Sequence, residues 1–157
     1  MTNRGRRQSV SRRILRNFVP DALKKRREGL GMSRADLARF ADVSVTAVAD
    51  WEKGRRTPQI DTLAQVVKAL KCDITDLVDV PEGARSLADL RILAGLTQPQ
   101  LGLATNISTT AIGALERAEV RLTDQRAAVL AEALGVDVDA VKAGYDKARK
   151  RGIGESP

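Results

Sequence analysis

Apolar residues fall three and four positions apart in short runs along this chain, separated by polar breaks. That spacing lines one side of a helix, whereas a half-buried strand would alternate strictly. The first run predicts a helix near Pro20–Glu28. Pro20 suits a first helical position and Asp21 the positive helix end. Gly29-Leu30-Gly31 ends it. Ser33 followed by Asp36 has the form of a capping box. The second helix then has Leu37, Phe40 and Ala41 as its inward face by spacing. Asp42-Val43 makes a turn. Ser44 caps a third helix, with Val48 and Trp51 inward at i and i+3. Lys53-Gly54-Arg55-Arg56-Thr57-Pro58 reads as a basic loop with a glycine C-cap. A fourth helix near Ile60–Leu70 carries the stripe Leu63, Val66, Val67 and Leu70. Asp73 caps a short fifth helix ending near Leu77.

The whole pattern is then written again, 64 positions on and without a gap. Leu23, Arg27, Gly31, Leu37, Ser44, Thr46, Ala47, Glu52, Ala64, Leu70 and Asp73 recur as Leu87, Arg91, Gly95, Leu101, Ser108, Thr110, Ala111, Glu116, Ala128, Leu134 and Asp137. The caps recur as well: Thr97 with Gln100 for the second helix, Ser108 for the third, Thr123 for the fourth and Asp137 for the fifth. Val138, Val141 and Tyr145 extend the last stripe, and Lys147, Arg149, Lys150 and Arg151 follow. The expectation is an all-α chain of two tandem five-helix domains, over 18–79 and 84–143. A disordered basic arm (1–17) precedes them, and a basic helix extension and tail (144–157) follow. The linker 80–83, Val80-Pro81-Glu82-Gly83, reaches at most ~14 Å, so the repeats must sit side by side.

Composition narrows the function. Aromatics are only 3% of residues, which suits helices better than a β-sandwich. A net charge of +7 points to a polyanionic partner, nucleic acid before an anionic membrane. Arg4, Arg6, Arg7, Arg12 and Arg13 make the arm a candidate phosphate or minor-groove tracker. They lack the interleaved Trp, Phe and Leu that would anchor a helix in lipid. No apolar run approaches a membrane span, and the basic N-terminus has no apolar signal region. A lone Cys72 fits a reducing cytoplasm and serves best as a small apolar filler. There is no histidine, no paired-cysteine metal spacing and no glycine-rich phosphate loop. An enzyme, a metal site and a cofactor are therefore not expected.

Leu37-Ala38, the turn, Ser44, Val48, Trp51-Glu52-Lys53-Gly54 and Pro58 resemble the Cro-type (XRE-like) phage-repressor helix-turn-helix family, and the second repeat follows in register. The resemblance covers about residues 20–77 and 84–141. It implies lambda-repressor-like domains that place the first turn of their third helix in a major groove. Helices two and three would cross closely, hence a small residue at the contact, Ala38 and Gly102. It implies structural ion pairs between Arg27 and Glu52 and between Arg91 and Glu116. Phosphate contacts would come from Arg34 and Gln98, which open the second helices, and from Lys53, Arg55, Arg56 and Thr57. The base-facing set would be Ser44, Val45, Thr46, Ala49 and Asp50, then Ser108, Thr109, Thr110, Gly113 and Ala114.

Two departures bear on function. Neither recognition helix carries the Arg, Asn or Gln forks that read guanine or adenine best. Hydroxyls and methyls can still read thymine methyls, or the site is read through DNA shape. The second repeat also has Ala118 for Gly54 and Glu119-Val120-Arg121 for Arg55-Arg56-Thr57, losing most of the basic loop. The first expectation is a sequence-specific double-stranded DNA-binding transcriptional regulator of a bacterium or phage, acting in the cytoplasm. The alternative is a protein-interaction module, an antitoxin or anti-activator, whose second repeat binds a protein partner. A homodimer is compatible with either.

Overall fold

Side-chain caps determine where the helices begin. The computed structural model describes residues 15–151, and among these it has nine α-helices and no strand. The first repeat holds α1 (Pro20–Gly29), α2 (Arg34–Phe40), α3 (Val45–Glu52) and α4 (Ile60–Ala69). The second holds α5 (Leu87–Leu93), α6 (Gln98–Thr105), α7 (Thr109–Glu116), α8 (Asp124–Leu134) and α9 (Val138–Lys150). Ser33 and Thr97 make reciprocal capping boxes with Asp36 and Gln100. The hydroxyl oxygens of Ser44, Ser108 and Thr123 accept from the amides of Ala47, Ala111 and Arg126, and the Asp137 carboxylate accepts from Ala140. Each satisfies an amide that a helix start leaves unpaired.

Each repeat has its own core. Leu23, Leu37, Val48, Trp51, Leu63, Val66, Leu70 and Leu77 form the first, with Cys72 half-buried against it. Leu87, Leu101, Ile112, Leu115, Ala127, Leu130, Leu134 and Val141 form the second. The repeats meet through α5, whose Ile92 and Leu93 pack against the first core. Gly95 lies against the first repeat closely enough that a Cβ there would stand 3.3 Å from Ile74 Cδ1. Side-by-side packing thus follows from a connection of a few residues.

Four expectations need correction. Phe40 does not face inward; it is 59% exposed, with the Arg39 guanidinium 5.1 Å from its ring centre. The buried residues of α2 are Leu37 and Ala38, joined by Ala41 just beyond it. At 100° per residue the centre of that set lies about 110° round the helix from Phe40. The fifth helix of the first repeat is a single 3-10 turn, Ile74–Asp76. Beyond it, just past the expected helix end at Leu77, Val78 pairs with Phe18 as an isolated antiparallel bridge. Val80 is not free linker but 8% exposed in the first core, and Glu82–Ala84 forms a second 3-10 turn. The arm also ends earlier than its composition suggests. Leu15 is buried in the core, and Asn17 O accepts from Asp79 N at 2.8 Å. The arginines Arg4, Arg6, Arg7, Arg12 and Arg13 lie outside the described residues.

Two left-handed positions hold glycine in one repeat and another residue in the other: Lys71 (φ +51°) stands where the second repeat has Gly135 (φ +66°), and the other pair follows the third helix. Gly54 follows α3 with φ +71°, a left-handed conformation glycine adopts without penalty, and Ala118 holds the corresponding place after α7 with φ +56°. A left-handed alanine costs about 1–2 kcal/mol, part of which glycine's greater unfolded-state freedom offsets. Ala118→Gly is therefore expected to stabilise the second repeat by about 0.5–1 kcal/mol, read as a higher denaturant midpoint. A lower midpoint would contradict the strain.

Candidate nucleic-acid interface

The same polar network anchors the third helix in both repeats. Arg27 on α1 donates from Nε to Glu52 Oε1 at 2.5 Å and from Nη2 to Oε2 at 3.2 Å. Its Nη1 donates to Met32 O at 2.6 Å, closing the turn before α2. Arg91 repeats this on Glu116 at 2.5 and 3.3 Å and on Leu96 O at 2.8 Å. A planar guanidinium can serve a carboxylate and a carbonyl together, which an ammonium could not do in this geometry. The Arg27 and Glu52 side chains are only 8% and 1% exposed. Burial alone would raise the Glu52 carboxyl, but the hydrogen bonds and charges of Arg27 and Arg34 hold it below the usual carboxylate range. The ion pairs implied by the resemblance are present in both repeats.

Arg34 and Gln98 join those pairs. Arg34 donates from Nε to Glu52 Oε2 at 2.8 Å, and Gln98 from Nε2 to Glu116 Oε2 at the same distance. Both residues are half-buried at the starts of α2 and α6. Each carboxylate therefore ties three helices together, and it sits at the end of the helix that would enter a groove. Part of the polar capacity expected to meet phosphate is turned inward.

The first turns of the third helices stand free of the scaffold. Val45 and Thr46 on α3, and Thr109 and Thr110 on α7, are exposed, while Ser44 and Ser108 use their hydroxyls as caps. Ala49 and Ala114 are half-buried. Asp50 is not an open base-facing carboxylate; its side chain is 17% exposed and lies 3.7 Å from Arg56 Nε. Its backbone carbonyl accepts from Arg55 N at 2.9 Å, so Asp50 shapes the basic loop. Gly113 does not face outward either. It is buried, and a Cβ there would meet Arg117 Nη1 at 3.1 Å.

The loops after these helices differ in charge. In the first repeat Lys53 and Arg55 are exposed, and among the described residues neither forms an ion pair with a carboxylate. Thr57 is used inward, its Oγ1 accepting from Leu15 N at 3.0 Å. In the second repeat Arg117 and Glu119 hold the places of Lys53 and Arg55. Their forks close on each other at 2.8 and 3.0 Å. The hydrogen bond from Arg117 holds the Glu119 carboxyl below the usual range. This clamp was not anticipated: Arg117 holds the place of Lys53, a position the resemblance gives to phosphate, and only its opposite charge two positions from Glu119 hinted at a contact within the chain. Among the described residues no helix is long and apolar enough to cross a membrane, and no cluster of His, Cys, Asp or Glu could hold a metal.

The chain matches no curated protein and no solved structure. A helix-turn-helix family model matches it twice, at residues 23–77 and 87–141, which together make up most of its length. Those two segments coincide with the repeated cores and their shared Arg–Glu networks. The chain therefore belongs to the XRE-like helix-turn-helix family of DNA-binding regulators, with two copies of the domain in tandem.

Proposed function

We propose that the protein regulates transcription by binding a specific double-stranded DNA site, with the first turn of α3 in the major groove. The observation that carries this reading is the exposed Val45-Thr46 turn followed by the exposed cations Lys53 and Arg55. Such an arrangement suits base edges at one end of a helix and phosphates at the other. Thr46 supplies a hydroxyl and a methyl, and Val45 methyls alone, so thymine methyls and groove shape would carry discrimination. The Arg–Glu networks would position α3 without touching DNA. Arg55→Ala is expected to weaken binding by about 1–3 kcal/mol and flatten the salt dependence. Arg34→Ala should do so less than Arg55→Ala, since its Nε is already engaged by Glu52. Thr46→Ala should alter site preference more than affinity for random duplex. Affinity for the preferred site and for random duplex, each measured across salt, checks all three, and unchanged binding of the Arg55 variant would remove the reading.

A second reading gives the second repeat a protein partner, as in an antitoxin or anti-activator. The neutralised loop and an 88% exposed Leu103 on α6 favour it. Weak DNA binding by the purified chain, with co-purification of one stoichiometric partner, would support it.

A further inference from the structure

The second repeat keeps Arg121 as the exposed cation of its loop, Arg117 being closed on Glu119, and α9, which is fastened to the same loop, ends in a run of cations. Lys142 Nζ lies 3.1 Å from Asp124 Oδ1, and Tyr145 donates its hydroxyl to Val120 O at 2.9 Å. Lys142, Tyr145 and Arg149 are three and four residues apart, so they share one stripe of the helix. The two contacts fix that stripe against residues 120–124, and Arg149 stands one turn beyond the second. Lys150 and Arg151 follow, and all three are exposed, as is Arg121 in the loop itself. Lys147 is turned elsewhere, donating to Gly83 O. Basic residues favour any helix C-terminus, but that preference alone would not tie the helix to this loop. The loop's own carboxylate, Glu119, is already closed by Arg117.

The first repeat has a counterpart of different origin. Val120 and Arg121 correspond to Arg56 and Thr57. There the chain entering the first repeat is fastened by the hydrogen bond from Leu15 N to Thr57 Oγ1. In each repeat, then, a segment from outside the helix-turn-helix is fastened to the loop after the third helix.

We propose that Arg149, Lys150 and Arg151 of α9, together with Arg121, form a phosphate-binding surface that takes over in the second repeat the part of Lys53 and Arg55. Its partner is the sugar–phosphate backbone of duplex DNA, held without reading bases. The inference rests on the DNA-binding reading above and gives the second repeat its own role in it. Tyr145 is a positioning residue that holds the basic turn at the loop.

The test uses the full chain and a random-sequence duplex of about 30 base pairs, long enough for both repeats at ~3.4 Å per pair. Binding is followed across salt for four variants. Each phosphate contact contributes about 0.9 to the slope of log affinity against log salt. R149A/K150A/R151A is expected to flatten that slope by about two to three, whereas R149K/K150R/R151K, which keeps the charge, should retain it. Y145F should weaken binding by a smaller factor while leaving the helical signal intact. A wild-type slope for the alanine triple, while R55A/R56A flattens it, would overturn the proposal and leave the first repeat's reading standing. If neither alanine variant flattens the slope, the DNA-binding reading falls and the proposal with it.

Discussion

Glu52→Ala is expected to destabilise the first repeat by about 3–5 kcal/mol, comparable to the whole stability of a domain this small. The carboxylate is 1% exposed and accepts from Arg27 twice and from Arg34 once. Removing it leaves the buried Arg27 charge with the Met32 carbonyl and only the exposed Glu28 carboxylate, 3.8 Å away, as a counter-charge. Glu52→Gln keeps an acceptor and should lose less. The same network responds to acid. Because the Glu52 carboxyl lies below its ordinary value in the folded repeat, its contribution is complete above the unfolded value of about 4.3. It is lost as pH falls from there through the depressed folded value. The single tryptophan, Trp51, is buried in this core, so its fluorescence follows the first repeat alone. The expected result is a large drop in the denaturant midpoint for Glu52→Ala, and one that shrinks below about pH 4. A loss under about 1 kcal/mol at neutral pH would mean that the pair does not hold α1, α2 and α3 together.

The second large effect is steric. A Cβ at Gly102 would stand 2.6 Å from the Ile107 carbonyl oxygen, which is backbone and cannot swing away. Gly102→Ala must therefore push α6 from the turn that leads into α7. Forcing a methyl into a packed contact costs about 1–3 kcal/mol. The backbone bond at stake is Ile107 N to Gly102 O, 3.1 Å, matched in the first repeat by Val43 N to Ala38 O at 2.9 Å. Ala38 is accommodated there at 3% exposure, so the second repeat closes its helix-turn-helix more tightly. Circular dichroism of Gly102→Ala should show a lower unfolding transition that leaves the Trp51 signal in place. Wild-type stability for this variant would mean that α6 and the turn are not in close approach.

Much of this architecture was legible in the residues because capping is local. A hydroxyl or carboxylate three positions before an amide needs no tertiary partner, and six of the seven predicted caps, at Ser33, Ser44, Thr97, Ser108, Thr123 and Asp137, accept their bonds, while at Asp73 the backbone amide donates to the Asp76 carboxylate. The Arg27–Glu52 and Arg91–Glu116 pairs were legible through family resemblance, since a 25-residue separation carries no local signal. What escaped depends on partners far along the chain. Phe40 satisfies an i+3 spacing, yet the angular centre of α2's buried face lies elsewhere. Leu15 follows a run of arginines, and composition hides that it fills the first core. Charge was visible at Arg34, Arg117 and Asp50, but not that Glu52, Glu119 and Arg56 would engage it. A side-chain fork can turn to its own chain as readily as to a ligand, and only geometry decides between them.

The two repeats thus share a scaffold and differ in the charge of their outer surface. Both hold the third helix by one buried carboxylate. The first leaves Lys53 and Arg55 exposed beside an exposed Thr46, and the second closes Arg117 on Glu119. Specific reading by α3 is the central claim, and selection of the full-length protein against a random duplex library tests it most directly. The account predicts an enriched motif whose affinity falls with salt and whose sequence changes in the Thr46→Ala variant. Inverted half-sites about 34 Å apart would mark a dimer placing two first repeats on one palindrome. No enrichment over random duplex, with only weak and steeply salt-dependent binding, would contradict specific reading by α3.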